Sequence, residues 1–130
     1  MKYKKILFVC IENACRSQMA EAFARKYLPN TEIISAGLQA VDEINPKAVK
    51  VMEEVGIPME DHYPKLLTPE MVKGADLAVT MGCIEQCPLT PREITVDWDL
   101  EDPASKDLAF FRKTRDIIKK RVLKLVDESK

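Results

Sequence analysis

The chain has no long apolar run, no excess of either charge and only one histidine, and each shortage closes off a class of function. The apolar stretch that begins at Ile6 is cut by Glu12, far short of the roughly 18 residues of a membrane-spanning helix. A formal net charge of -1 offers no basic footprint for nucleic acid or for an anionic membrane surface. His62 has no second histidine with which to hold a metal and stands in a proline-flanked loop, so it reads as an ordinary surface residue. Repeats, low-complexity tracts and linkers are also missing.

What is present is ordinary for a globular protein: 46% hydrophobic and 32% charged residues over 130 positions. That length buries about two thirds of the unfolded surface, so one domain spanning 1–130 is expected. We expect a cytoplasmic protein that works as a monomer, without nucleic acid or membrane as partner. In that compartment four cysteines point to catalysis, redox work or metal rather than to a disulfide framework.

Ile6-Leu7-Phe8-Val9 is continuously apolar, the mark of a central strand buried on both faces. From Ser17 to Leu28 apolar positions recur at helical spacing until Pro29 stops them, with Ser17 as a first-turn or capping residue. Residues 32–37 read as a second strand closed by Gly37, and Pro46 opens a helix that Gly56 ends. Residues 57–67 read as loop, and 68–74 as one or two helical turns. Residues 76–81 and 93–97 give two more strands, and roughly 107–128 a surface helix with Leu108, Phe111, Ile118, Val122 and Leu125 on one stripe. This alternation predicts an α/β fold in three layers, a four-stranded parallel sheet with helices on both faces. Ligands of such sheets sit at the C-terminal ends of the strands.

Cys10 ends the first strand, and Arg16 and Ser17 follow it just before a helix. Loop N–H groups, a helix N-terminus and a guanidinium fork together suit a tetrahedral oxyanion. The same positive field favours the thiolate of Cys10, a ready nucleophile. The sheet rim also gathers Cys83 and Cys87, after the third strand, and the acidic run Asp97, Asp99, Glu101 and Asp102, after the fourth. Among the acids Asp102 is the best placed to protonate a departing oxygen, because Pro103 stiffens its backbone. Two further thiols beside a thiol adduct permit displacement and disulfide exchange, which hydrolysis does not need. Cys15 reads as a packing residue. A four-thiolate zinc site of Cys10, Cys15, Cys83 and Cys87 has permitted spacings but leaves Arg16 and Ser17 without a purpose.

The stretch from Cys10 to Glu21 (Cys-Ile-Glu-Asn-Ala-Cys-Arg-Ser-Gln-Met-Ala-Glu), Ser35-Ala36-Gly37, Asn45-Pro46-Lys47, Val79 to Cys83 with Cys87-Pro88, and Trp98 ahead of Asp102-Pro103 resemble the thioredoxin-coupled arsenate reductases. That family is built on the low-molecular-weight tyrosine phosphatase fold. The resemblance implies that Cys10 is the nucleophile and Asp102 the general acid. It implies that Asn13, Ala14, Cys15, Arg16 and Ser17 form the arsenate or phosphate cradle, with Ser17 bonded to the thiolate. Cys83 would then attack Cys10 and release arsenite, and Cys87 would take over Cys83 to leave a disulfide for thioredoxin to reduce.

Three departures qualify the resemblance. Glu12 stands where the family usually has glycine. Only three residues separate Cys83 from Cys87, as in branches some of which draw electrons from a small thiol, so both reductants stay open. Several members hold potassium through residues matching Asn13, Glu21 and Ser35; here Lys65 is expected to replace the ion, and no cofactor or metal is required. The competing readings are a low-molecular-weight phosphatase, against which stand Ala104 and Ser105 where an aromatic pair usually follows the Asp-Pro, and a non-enzymatic thiol sensor or zinc protein.

Overall fold

The computed structural model describes residues 3–39, 41–82 and 90–129. Cys83 and Cys87 lie outside the described residues.

Four parallel strands form one sheet: β1 (Lys5–Cys10), β2 (Glu32–Gly37), β3 (Leu77–Thr80) and β4 (Thr95–Asp97), in the order β2-β1-β3-β4. The order reverses beside β1, which places the end of that strand at a switch point. Ile6, Leu7, Phe8 and Val9 are fully buried, and because neighbouring residues point to opposite faces, both faces of the sheet are covered there. The predicted parallel α/β sheet is the one that forms. Its core joins Ile6, Phe8 and Cys10 to apolar residues of α1 (Arg16–Tyr27), α2 (Pro46–Glu53) and α4 (Leu108–Glu128).

The local signals act largely as expected. Asn45 caps α2 by accepting from the Lys47 amide, and Asp107 caps α4 by accepting from the Phe110 amide. Thr68 does the same for the single turn α3 (Pro69–Val72), and Gly56 leaves α2 with φ 78°. In α4 Thr114 fills the one turn of the buried stripe without an apolar residue, and its hydroxyl donates to the Phe110 carbonyl.

Two expectations change. The strand predicted over 93–97 begins only at Thr95, because Arg92–Ile94 form a 3₁₀ turn closed by the Thr95 hydroxyl on the Pro91 carbonyl at 2.6 Å. Of the two readings for Ser17, the first turn holds and the cap does not: the cap position of α1 is Cys15, without a side-chain bond, and the Ser17 hydroxyl turns to Cys10. The 57–67 segment is irregular, as read, but its end runs beside β2, where Gly37 donates to Lys65 and accepts from Leu67.

Candidate active site

The loop after β1 is held from below. The Ile11 carbonyl accepts from the amides of Leu38 and Gln39 at 2.7 and 2.9 Å. A Cβ on Gly37 would lie 2.8 Å from backbone atoms of Ile11, Glu12 and Asn13, so only glycine permits this approach. Asn13 then takes φ 57°, a left-handed conformation that asparagine tolerates better than most residues. That turn aims the Asn13 amide at Cys10 Sγ, 3.2 Å away.

The Asn13 side chain organises what lies behind the thiol. Its Oδ1 accepts from the backbone N–H of Lys65 at 2.9 Å, and since a backbone amide can only donate, the orientation of the side chain is fixed. Its Nδ2 therefore donates to Ser17 Oγ at 2.8 Å and to Ser35 Oγ at 3.0 Å. Each serine oxygen now accepts from Asn13, which frees its own proton: Ser35 donates to Glu21 at 2.5 Å, and Ser17 to Cys10 Sγ at 2.8 Å. Two donors thus converge on the Cys10 sulfur, the arrangement a thiolate accepts.

Cys15, in the same loop, has no such donors among the described residues. Burial, with added repulsion from Asp102, Cys10 and Glu12, pushes its thiol up to about 12 against the pull of Arg16. It stays protonated at neutral pH. Of the two thiols described at the loop, the donors meet at Cys10 alone.

Arg16 is buried and clamped. Its Nη1 donates to the carbonyls of Met81 and Leu100 at 2.9 and 2.8 Å, and its Nη2 lies 3.6 Å from Asp102. These partners come from the ends of β3 and β4, which Gly82 joins: with φ 85° it packs so closely that a Cβ would sit 2.7 Å from Asp99 Cα. Arg16 Nε is buried and has no hydrogen-bond partner among the described residues. An unmet buried donor costs about 1–3 kcal/mol, so this one is a place prepared for an acceptor. Arg16 lines a cavity of about 340 Å³ together with Cys10, Glu12, Cys15, Gln39 and Asp102.

The structure thus brings Cys10, Asn13, Ala14, Cys15, Arg16, Ser17 and Asp102 to one rim, with the Asn13 side chain turned inward to the serines rather than to the cavity. Asp102, half exposed, accepts from the Ala104 amide in a turn of its own. Of the other acids, Asp97 is occupied by Thr80 and Gly82, and Glu101 pairs with Lys106. Gly82, the last described residue before Cys83, sits beside the Arg16 clamp.

Sequence reasoning misplaced His62. It is not an ordinary surface residue: its side chain is largely buried, with Nδ1 3.0 Å from Gln18 Oε1 and 3.7 Å from Glu21. Gln18 donates to the Asn13 and Tyr63 oxygens, which leaves its Oε1 to accept, so His62 carries its proton on Nδ1. Burial holds its pKa below the usual imidazole value, outweighing the opposing Glu21 carboxylate. No local sequence signal could have shown this contact across 44 residues. The Asn13, Glu21 and Ser35 set does not fit a potassium ion. Asn13 Oδ1 is engaged by Gln18 and Lys65, and Glu21 already faces Arg25 at 2.9 Å, Lys65 at 3.7 Å and the Ser35 hydroxyl. Among the described residues no cluster of three or more His, Cys, Asp or Glu is arranged to hold a metal.

Residues 5–130 match the family model for low molecular weight phosphotyrosine protein phosphatase. The arsenate reductase of Brevibacillus brevis is 41% identical over 128 residues, covering 95% of each chain. That of Bacillus subtilis is 36% identical over the whole of both chains. Among solved structures, an arsenate reductase in the phosphate binding state superposes with a TM-score of 0.85 at 35% identity, covering 96% of this chain and 98% of the other. The Erwinia amylovora tyrosine phosphatase amsI gives 0.87 at 27% identity, covering 97% and 93%.

Proposed function

The chain belongs to the low-molecular-weight phosphotyrosine protein phosphatase family, and within it we propose that the chain reduces arsenate to arsenite. The observation that carries this reading is full-length identity of 36–41% to arsenate reductases, in a chain where a buried arginine and a two-donor thiol line one cavity. Cys10 attacks arsenate held by Arg16 and the loop amides, and Asp102 gives a proton so that one oxygen leaves as water. Cys83 then attacks Cys10 Sγ. A Cys10–Cys83 disulfide forms, the sulfur–arsenic bond breaks, and its electron pair reduces arsenic from the +5 to the +3 state as arsenite departs. Cys87 displaces Cys10 from Cys83, and thioredoxin or a small thiol reduces the resulting Cys83–Cys87 disulfide. The whole reaction is assigned to one domain, 1–130, acting as a monomer in the reducing cytoplasm.

The likeness to a tyrosine phosphatase supports a second reading, hydrolysis of a phosphate monoester, since the first displacement is the same. Supplying reduced protein with arsenate and a dithiol, and in parallel with p-nitrophenyl phosphate, separates the two. Catalytic arsenite formation with slow ester hydrolysis is expected. Rapid ester hydrolysis without arsenite would replace the proposal by the second reading.

A further inference from the structure

Glu12 is the acidic residue of the oxyanion loop, and the proposed chemistry leaves its carboxylate unused. It is partly buried, lines the cavity with Cys10, Arg16 and Asp102, and has no hydrogen bond or ion pair with any described residue. Its position is fixed: Ile11 before it is tied to Leu38 and Gln39, Asn13 after it is tied by four side-chain bonds, and its own backbone rests on Gly37. Its charge acts inside the site, being one of those that oppose ionisation of Cys15.

The balance of charge around the cavity is unusual for an anion site. Arg16 is the one cationic side chain among its described lining residues, and Asp102 already stands 3.6 Å from it. Glu12 is therefore a surplus carboxylate. A carboxylate accepts hydrogen bonds and cannot donate them. Toward an oxyanion that carries a hydroxyl, it gains a charge-assisted O–H···O⁻ bond; toward one without a proton, it meets only like charge. Arsenate and phosphate keep at least one hydroxyl at neutral and mildly alkaline pH. Sulfate keeps none, nor does the dianion of a phosphate monoester.

We propose that Glu12 selects the oxyanion by its proton: the loop admits free oxyacids bearing a hydroxyl, which hydrogen-bond to the Glu12 carboxylate, and rejects tetrahedral dianions that have none. This deepens the arsenate reading and rests on it, because it gives the site a reason to prefer arsenate over the phosphate esters of the wider family.

Phosphate and sulfate are the probes, with binding to the reduced protein measured by calorimetry on the alkaline side of neutrality. There both are dianions of one shape that differ by a proton. The wild type is expected to favour phosphate by about ten- to a hundredfold, the range of one charge-assisted hydrogen bond. Glu12→Gln, whose amide serves either anion, is expected to bring the two within about threefold, chiefly by a gain in sulfate affinity. Glu12→Gly should do the same without any side chain. A wild type that binds both equally, or a preference that survives in both variants, overturns the role of Glu12. A preference lost in Asp102→Asn but kept in Glu12→Gln also overturns it by moving selection to the other carboxylate. Failure of both anions to bind every form would sink the oxyanion site itself, a different result from an unchanged ratio.

Discussion

Replacing Asn13 by alanine should destabilise the protein far beyond the loss of one loop side chain. Asn13 is fully buried and makes four side-chain hydrogen bonds, to Ser17, Ser35, Gln18 and the Lys65 amide. Alanine leaves the Lys65 N–H without its acceptor, at about 1–3 kcal/mol, and removes an accepted bond from each serine, at about 0.5–1.5 kcal/mol apiece. Gln18 keeps its bond to the Tyr63 carbonyl and loses less. The left-handed φ of 57° adds about 1 kcal/mol for a residue with a Cβ and no local hydrogen bond. The sum is about 3–7 kcal/mol, a large share of the roughly 5–15 kcal/mol that holds a domain folded. Guanidinium unfolding of the reduced protein measures it through a lower midpoint. Asn13→Gly isolates the backbone part, since glycine accepts the positive φ, and should recover about 1 kcal/mol relative to alanine. An alanine variant within about 1 kcal/mol of wild type would refute the claim that Asn13 is the hub of the loop.

Three further outcomes follow from the same geometry. Arg16→Lys cannot keep both carbonyl bonds and also offer the free Nε donor, so kcat/KM for arsenate should fall at least about a hundredfold in a steady-state assay. With its thiol pushed up to about 12, Cys15 should resist iodoacetamide at neutral pH while Cys10 is labelled, and labelling of Cys15 should grow only as the pH climbs toward that value; peptide mass mapping reads both. Potassium titration should leave turnover unchanged in the wild type, because Lys65 and Arg25 already face Glu21, whereas Lys65→Gln should respond to the ion.

Signals carried by one stretch of chain were legible in the sequence. The unbroken apolar run at Ile6 announced a strand covered on both faces, and Asn45 and Thr68 stood where their helices begin. Cys10, Arg16 and Ser17 could be read together because one loop carries them. Ser17 was legible in two ways, as a first-turn or capping residue and, through the family resemblance, as a partner of the Cys10 thiol; the structure keeps the first turn and the thiol and drops the cap. The clamp on Arg16 was invisible. Its acceptors are the carbonyls of Met81 and Leu100, which any residue would supply, and only the closeness of Gly82 to Asp99 brings them there. His62 was misread because its burial comes from Gln18 and Glu21, four decades of residues away in sequence and adjacent in space.

The relay through Cys83 and Cys87 is what separates reduction from hydrolysis, and trapping it is the most direct test. The reduced protein is exposed to arsenate without external reductant, and its disulfides are mapped by mass spectrometry in the wild type and in Cys87→Ser. The account predicts a Cys83–Cys87 bridge in the wild type and a Cys10–Cys83 bridge in the variant, each with release of arsenite. Thiols that remain free after arsenate, in a protein that turns over aryl phosphate quickly, would contradict it.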